Sequence, residues 1–331
     1  MRIQRKAYWL YDQIKVEKPD WEPMFAMQST INWIHALRME IDGEYGTSIG
    51  EQLGHCDTYF TSHVRTRNNP APLAQVFGTL FHSLTFAVSL TSLCEHEATG
   101  PWVFPSAIVM YYYATYNSVL SMLAALNDYR GENHSTTITA FNDLRGLLPH
   151  PLNMLANRVS GETYRARLSQ YSDATSTDLS RSLNDSRESA RGMLLAYLSG
   201  TAKWKADEVK DHLRYKKKIA DFRSKANREL RDSFLPDEVN YMNCAFRYRG
   251  KANYRDSIFL PYGEKHSWLS VDYLESLRIV SCFTLACAVA FAKRRLGKKP
   301  LREFWDDVEA NFRGKDTASP RELFWRELMA G

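Results

Sequence analysis

Apolar residues recur along this chain at steps of three and four positions, the spacing that places side chains on one face of an α-helix. One such face has steps of 4, 3, 4 and 4 and consists of Leu73, Phe77, Leu80, Leu84 and Val88. Further helices are predicted at Pro105–Asn127, His134–Arg145, Asp272–Leu296, Leu301–Phe312 and Pro320–Met329. Strand signals are scarce because apolar and polar residues do not alternate over any long stretch. The pattern predicts an all-α fold, a multi-helix bundle.

The middle of the chain combines a polar connection with two helical patterns. Nine of the 24 residues in Ser169–Gly192 are Ser or Thr, which predicts a flexible connection. Asp185 and Glu188 have the spacing of a capping box, and the helix that follows is predicted to stop at Gly200. Beyond it, an amphipathic helix is predicted over Lys203–Asp232. Its buried face should consist of Tyr215, Ile219, Phe222, Ala226 and Leu230.

The predicted Lys203–Asp232 helix is also basic. It holds 11 Lys or Arg residues against six Asp or Glu, and this excess of five equals the formal net charge of +5 of the whole chain. Such a face can bind RNA phosphates and release counterions, and the alternative is a solvated face with internal ion pairs. The candidate nucleic-acid-binding residues are Lys210, Arg214, Lys217, Lys225 and Arg228, with a second cluster at Lys293, Arg294 and Arg295.

Composition indicates a folded globular protein, with 44% hydrophobic and 24% charged residues. The five cysteines form no CxxC pair and no zinc-ligand spacing, so we expect neither disulfides nor a metal site. The first 20 residues lack the apolar core of a signal peptide, which predicts a cytoplasmic protein. Asn68–Cys94 and Ala98–Asn127 contain no Asp, Glu, Lys or Arg, but they are rich in Ser, Thr and Tyr or interrupted by Pro. We therefore interpret them as buried helices and not as membrane spans.

Complete signatures of common catalytic sites are missing from the sequence. It contains no phosphate-binding glycine loop, no HExxH and no GxSxG motif. The adjacent acidic pairs Asp207/Glu208 and Asp306/Asp307 diverge by about 100° on a helix, so neither pair can hold a metal from one face. No cofactor and no metal are therefore predicted.

Two segments resemble the HEPN superfamily, a group of compact helical domains in prokaryotic toxin–antitoxin and phage-defence proteins. The first is Tyr111–Leu126, YYYATYNSVLSMLAAL, followed after a turn by His134–Leu144, HSTTITAFNDL. The second is Tyr248–Phe259, YRGKANYRDSIF, followed by the Asp272–Leu296 helix. Asn253 stands where the family has Asp. The two segments cover under a third of the chain.

The resemblance implies a domain organisation. Residues 101–146 and 244–297 would form the HEPN-like helical core, and residues 1–100 would be an N-terminal helical extension. Residues 147–243 would be an insertion that contains the Ser/Thr-rich segment and the basic amphipathic helix. Residues 298–331 would form C-terminal helices.

The resemblance also implies an activity. Many HEPN proteins are metal-independent ribonucleases with an Arg-x4-6-His motif, usually completed across a homodimer. His can move a proton from the RNA 2′-hydroxyl, and Arg can stabilise charge on the phosphate. The expected position lacks the motif, because His266 lies 11 residues after Arg255. The candidate catalytic residues are therefore His134 with Arg130, Arg145 with His150, and Tyr254 with Arg255.

Three functions are compatible with these patterns. The first is a HEPN-like protein of a prokaryotic defence or toxin–antitoxin system that engages RNA, with or without cleaving it. The second is a non-catalytic helical module that binds a nucleotide, a nucleotidyltransferase or another protein. The third is a structural scaffold that associates with itself. Salt-dependent RNA binding, a co-purifying partner and concentration-dependent assembly separate the three.

Overall fold

The computed structural model describes residues 9, 13, 23–95, 102–131, 133–160, 163–166, 183, 186–254 and 269–312. The described helices are α1 Pro23–Tyr45, α2 Ile49–His63, α3 Leu73–Glu95, α4 Phe104–Asn127, α5 His134–Arg145, α6 Arg187–Lys217, α7 Lys225–Phe234, α8 Tyr241–Tyr254, α9 Leu269–Leu296 and α10 Lys298–Phe312. The described strands are β1 Leu155–Ser160, β2 Thr163–Ala166 and β3 Glu238–Asn240. The predicted all-α bundle is confirmed. The predicted Pro320–Met329 helix and residues 169–182, 184 and 185 of the predicted connection lie outside the described residues, whereas residues 187–192 of that connection form the start of α6.

Helix α9 forms the centre of the bundle, since α1, α2, α3, α4 and α10 all pack against it. Every residue from Ile279 to Ala292 is buried, as expected for a helix that is apolar on all sides. The polar residues Ser281 and Thr284 donate their hydroxyls to carbonyls of the preceding turn, so no water is needed to satisfy them. The predicted Asp272–Leu296 helix is confirmed, with its start three residues earlier at Leu269.

Buried tyrosine hydroxyls connect α4 with its neighbours. The Tyr111 and Tyr241 hydroxyls lie 2.8 Å apart, and the Tyr248 and Tyr273 hydroxyls lie 2.7 Å apart. Tyr248 also donates to the Thr30 carbonyl at 3.0 Å. Because each buried hydroxyl needs a partner, these bonds join α1, α4, α8 and α9 in one relative arrangement.

A three-stranded antiparallel sheet of order β2-β1-β3 lies against α6. Within it, Ala156 pairs with Ala166 on one side and with Val239 on the other. The strands contain six, four and three residues. Strands of this length are too short to produce the sustained alternation on which a sequence-based strand prediction depends.

The predicted single helix over Lys203–Asp232 is wrong. Helix α6 ends at Lys217, and Lys218 adopts the left-handed conformation with φ 55°. The chain then re-enters a helix at Ser224, whose side chain accepts a hydrogen bond from the Asn227 amide and caps α7. A good N-cap residue therefore starts a new helix where the apolar spacing suggested that one helix continued.

The predicted buried face of that segment is only partly correct. Ile219, Phe222 and Leu230 are half-buried and pack together. Tyr215 is 71% exposed and Ala226 is also exposed. The turn after Lys217 rotates the following residues, so the spacing that aligned Tyr215 with the others no longer holds.

Helix α6 begins and continues differently from the prediction. Its N-cap is Ser186, which accepts a hydrogen bond from the Ser189 amide. Asp185 of the predicted capping box lies outside the described residues. The helix also continues through Gly200, where a stop was predicted. Buried residues on both sides, such as Leu198 and Ala202, hold that turn against the core. Their burial outweighs the roughly 1 kcal/mol cost of glycine in a helix interior.

One hydrophobic core includes residues from each predicted segment. It contains Trp33 of the predicted N-terminal extension, Tyr111 and Phe283 of the predicted HEPN-like core, Leu198 of the predicted insertion and Trp305 of the C-terminal helices. The described part of the extension is therefore integral to the bundle. The domain boundaries themselves stay predictions.

Two described helices are long and apolar enough to cross a membrane by length and composition alone, Leu73–Glu95 and Asp272–Leu296. In the second, 89% of the apolar window is buried inside the protein, as in the central helix of a soluble bundle. In the first, 44% is buried. The absence of a membrane span and the cytoplasmic location stay predictions.

Candidate functional site

His134 is the first residue of α5 and lies where three helices meet. Asn133 caps this helix by accepting a hydrogen bond from the Thr136 amide, which fixes the backbone at His134. The ring bonds to α4 through its Nδ1, which lies 2.8 Å from the Tyr112 hydroxyl. It bonds to α8 through its Nε2, which lies 3.1 Å from Nη1 of Arg249. The histidine is therefore held at both ring nitrogens.

These contacts determine the form of the imidazole. A guanidinium group only donates hydrogen bonds, so Nε2 of His134 accepts from Arg249 and carries a lone pair. Nδ1 then carries the proton and donates to Tyr112. Burial, and next the positive charge of Arg249, lower the pKa of His134 below its usual value. His134 is therefore a neutral imidazole at pH 7.

Aromatic rings surround the His134–Arg249 pair. The Arg249 guanidinium lies 5.1 Å from the Tyr112 ring centroid and 5.6 Å from those of Tyr113 and Phe246. The His134 ring is 4.6 Å from the ring of Tyr116. His134, Arg249, Tyr113 and Phe246 are half-buried, whereas Tyr112 and Tyr116 are buried. We call these six residues the His134 cluster.

The His134 cluster combines three chemical properties. It has a neutral imidazole that can accept a proton, a guanidinium that can bind phosphate, and half-buried aromatic faces against which a base can stack. Burial raises the pKa of Tyr112 well above its usual range, against a smaller opposing effect of Arg249, so its hydroxyl stays protonated.

No family model, curated protein or solved structure matches this chain.

The other residues predicted for this region lie in different positions. Arg130 is exposed in the turn between α4 and α5. Tyr254 is the last residue of α8, and Arg255 lies outside the described residues. Arg249 is not among the residues predicted from the sequence, although it belongs to the Tyr248–Phe259 segment that resembles the HEPN superfamily. Nothing local indicates its pairing with a histidine 115 positions away.

Arg145 and His150 belong to a different region. Arg145 is at the C-terminal end of α5, about 16 Å along the helix axis from His134. Its guanidinium lies 3.6 Å from Glu238. His150 instead faces Glu40, with its Nε2 3.2 Å from Oε2. The structure does not bring Arg145 and His150 to one carboxylate, and it does not bring either to His134.

Glu40 is fully buried and is the centre of a charge cluster between α1 and α6. Arg187 and Arg191 lie 3.4 Å and 3.3 Å from its carboxylate oxygens, on the same group that faces His150. Burial raises the pKa of Glu40, but hydrogen bonds from His150 and Arg187 and the nearby positive charges outweigh it and bring the pKa to about 2. The carboxylate is therefore ionised and its charge is compensated.

The second predicted basic cluster contacts protein groups. Lys293 forms an ion pair with Asp57, and Arg294 donates to the Val64 carbonyl at 2.6 Å. Arg295 donates to three carbonyl groups, at the C-terminal end of α4 and just after α2. Its acceptors are Ala125, Leu126 and Arg65. RNA binding by Lys293, Arg294 and Arg295 stays a prediction, and each already has a partner within the bundle.

The first predicted basic group is more exposed. Lys210 lies 3.2 Å from Asp207, Arg214 lies 3.1 Å from Asp211, and Lys225 lies 3.7 Å from Glu229. These are one-turn pairs of the kind that the alternative interpretation expects, and they contribute little stability at a surface. Lys217 is exposed at the end of α6, and Arg228 of α7 donates to the Arg223 carbonyl in the loop that precedes this helix.

Proposed function

We propose that this chain is a HEPN-like helical protein of a prokaryotic defence or toxin–antitoxin system that engages RNA, and that the His134 cluster is its candidate ribonuclease site. One observation carries the proposal: a neutral, half-buried imidazole lies 3.1 Å from a guanidinium among aromatic rings. The family resemblance supports the biological context, because both quoted segments contribute to this cluster.

The chemistry follows from the groups present. Arg249 would exchange its bond with His134 for bonds with the scissile phosphate, where it stabilises developing negative charge. The freed Nε2 of His134 would accept the 2′-hydroxyl proton as the O2′–P bond forms. The P–O5′ bond breaks, and the imidazolium returns the proton to the departing O5′. The products are a 2′,3′-cyclic phosphate and a 5′-hydroxyl, and the histidine is regenerated.

The His150 region is less suited to this reaction. Its Nε2 lies 3.2 Å from a buried, ionised carboxylate, so a substrate hydroxyl could reach that nitrogen only by displacing Glu40. Arg187 and Arg191 already interact with the same carboxylate, which reduces the positive charge available to a phosphate. The Glu40 cluster is accordingly interpreted as a structural connection between α1 and α6.

The test is cleavage of total cellular RNA by the purified protein in EDTA, beside His134→Ala, Arg249→Lys and His150→Ala. We expect His134→Ala to reduce the rate by at least about 100-fold, since general acid–base catalysis contributes about that much. Arg249→Lys keeps the charge but loses the planar fork, so a smaller reduction is expected. Product ends should be 2′,3′-cyclic phosphates.

His82→Ala provides a matched control, because His82 is an exposed histidine on α3. Circular dichroism must show that each variant is folded. Equal cleavage by His134→Ala and the unaltered protein would refute the proposed site. Loss of cleavage only in His150→Ala would indicate that the ribonuclease site is the Glu40 cluster instead.

A specific observation favours a second candidate, the non-catalytic binding module. Both nitrogens of His134 are hydrogen-bonded within the protein, so the residue also joins α5 to α4 and α8. In that case His134→Ala lowers the melting temperature, no variant differs in cleavage, and a nucleotidyltransferase or another protein co-purifies. The homodimer that the resemblance implies, and the self-associating scaffold, are tested by light scattering across concentration.

A further inference from the structure

The second half of α6 and helix α7 enclose a small core of their own. This core consists of Ala206, Val209, Leu213 and Leu235, with Ile219, Phe222 and Leu230 packed against it. It is separate from the main core of the bundle. We call residues 206–235 the basic tip. Arg158 of β1 fixes its base by donating to the Asp232 and Leu235 carbonyls at 2.6 Å and 3.2 Å.

Positive charge is concentrated where the basic tip reverses direction. Residues 214–228 contain seven Lys or Arg and one acidic residue, a surplus of six against +5 for the whole chain. The acidic residue, Asp221, accepts a hydrogen bond from the Arg223 amide and shapes the loop. In the described part of the chain, no carboxylate lies within 4.0 Å of the ammonium groups of Lys216, Lys217 or Lys218. Their charge is available to an anionic ligand.

An aromatic ring is exposed among these lysines. Tyr215 is 71% exposed, although it belongs to the last turn of α6. The ammonium groups of Lys216 and Lys218 lie 5.3 Å and 5.4 Å from its ring centroid. The left-handed Lys218 ends the helix and keeps its own side chain beside the ring. An exposed flat ring with two adjacent cations is the combination used to bind unpaired nucleotides.

We infer that the basic tip binds single-stranded RNA, with an unpaired base stacked on Tyr215 and the adjoining phosphates bound by Lys216 and Lys218. The inference rests on the proposed RNA function and specifies its ligand. A duplex would offer phosphates but keep its base faces stacked inside, so it could not use Tyr215. Stacking on a ring reads no base edge, and we therefore expect little sequence preference.

An anionic membrane is the other ligand that aromatic rings and lysines fit. Membrane insertion needs several apolar side chains on one exposed face. In the basic tip, Phe222, Ile219 and Leu230 face the small core and pack there. Phe234 is a second exposed ring of the tip, 45% exposed, and it lies beside the ring of His212. Two separate exposed rings do not form the continuous apolar face that membrane insertion needs, which favours the nucleic acid.

The test is fluorescence anisotropy with a labelled 2′-O-methyl oligouridine of about 12 nucleotides, long enough for one binding groove. This RNA lacks a free 2′-hydroxyl, so cleavage cannot affect the measurement. Tyr215→Ala should weaken binding roughly tenfold, whereas Tyr215→Trp should preserve it. Replacing Lys216 and Lys218 by Gln should make the plot of the logarithm of the binding constant against the logarithm of the salt concentration less steep. The magnitude of its slope should fall by about 1.4, because two phosphate contacts are lost.

Matched controls separate local contacts from general effects. Trp102→Ala removes an equally exposed ring, 74% exposed, that lies two residues before α4 begins. Lys298→Gln with Lys299→Gln removes two exposed positive charges from α10. Neither control should change the affinity or the salt slope. Both Tyr215 variants are at an exposed position, and a thermal melt checks that they fold.

Unchanged binding by Tyr215→Ala would overturn the inference, as would equal affinity for a duplex of the same length. Binding of the tip to phosphatidylserine vesicles but not to the oligouridine would also overturn it. The cleavage assay with His134→Ala is independent of all these results. The experiments can therefore support the proposed ribonuclease site and refute RNA binding by the basic tip, or the reverse.

Discussion

At the scale of single residues, Glu40 shows how this bundle accommodates a fully buried charge. Its carboxylate would be costly to bury alone, but Arg187 and Arg191 compensate its charge, and Nε2 of His150 lies 3.2 Å from it. Removing one partner of a buried charge leaves that charge uncompensated. The loss of stability is then larger than the stability that the intact cluster contributes. The cluster consequently makes the stability of the fold depend on pH.

The pKa of Glu40 is about 2 in the folded protein against an ordinary value of 4.5, so its contribution is present above about pH 4.5 and is lost as pH falls towards 2. From this shift we expect the free energy of unfolding to fall by about 3 kcal/mol over that interval. The measurement is urea unfolding of the native protein and Glu40→Gln at several pH values. The difference between them should shrink as pH decreases.

Glu44→Gln is the matched control, because Glu44 is exposed and pairs with Arg187 at 2.9 Å. We expect that change to cost less than about 1 kcal/mol. If the free energies of unfolding of Glu40→Gln and the native protein differed by the same amount at every pH, Glu40 would not be the cause of the pH dependence.

Single residues also show which parts of the candidate site could be predicted from the sequence. His134 could be selected from the sequence because it begins a short helix after a polar turn and matches a family segment. Its partner Arg249 could not, because the two residues are 115 positions apart and meet only through the packing of α5 and α8. Likewise, the Arg145 and His150 spacing suggested a pair, but each faces a different carboxylate.

At the scale of elements, arginines complete the C-terminal end of α4. The last carbonyls of a helix lack partners within it. Arg295 of α9 donates to the Ala125 and Leu126 carbonyls, and Arg67 donates to Ala125 and to the carboxylate of Asp128. Asp128 itself adopts the left-handed conformation that ends the helix. The end of α4 is thus joined to α9 by charged hydrogen bonds.

Arg295→Lys should destabilise the protein by about 1–3 kcal/mol, because one ammonium cannot replace a fork that reaches three carbonyls. Denaturant unfolding measures the effect, and Arg302→Lys at an exposed position of α10 is the control. Unchanged stability, together with RNA affinity that depends on Arg295, would instead support its predicted role as an RNA contact.

Helix boundaries were predictable where a helix is bounded by strong breakers and lies in the core. The α4 and α5 predictions match to within one residue, because Pro105 and the polar turn after Asn127 limit them. The α6 and α7 boundaries were not predictable, since the apolar spacing happens to continue across the left-handed Lys218. The spacing of apolar residues predicts a common helix face only while the helix continues. A single left-handed residue ends the helix and changes the direction in which the following side chains point.

At the scale of the whole molecule, the cysteines are distributed through the core. Cys56 and Cys287 are buried with their sulfur atoms 3.5 Å apart, and Cys244 and Cys282 are buried as well. Burial raises the pKa of Cys94 and of Cys244 to about 12, and that of Cys287 above its usual range. Their thiolate forms are therefore rare at neutral pH.

We expect the cysteines of the native protein at pH 8 to react with a disulfide reagent only as fast as the protein opens or unfolds. In denaturant, all five thiols should react. The reaction is followed by absorbance, and its rate is compared with hydrogen exchange of the core amides. A rapid phase from one thiol in the folded protein would contradict this expectation and identify an accessible cysteine.

The two separate cores have a consequence for how the sequence can diverge. Substitutions in the basic tip alter a small core that shares no residue with the main one, so their energetic effects are largely additive to changes in the bundle. Selection can consequently alter the charge and rings of the tip while the residues around α9 remain fixed. Related chains should differ most between Ala206 and Leu235, and should keep the central helix nearly constant.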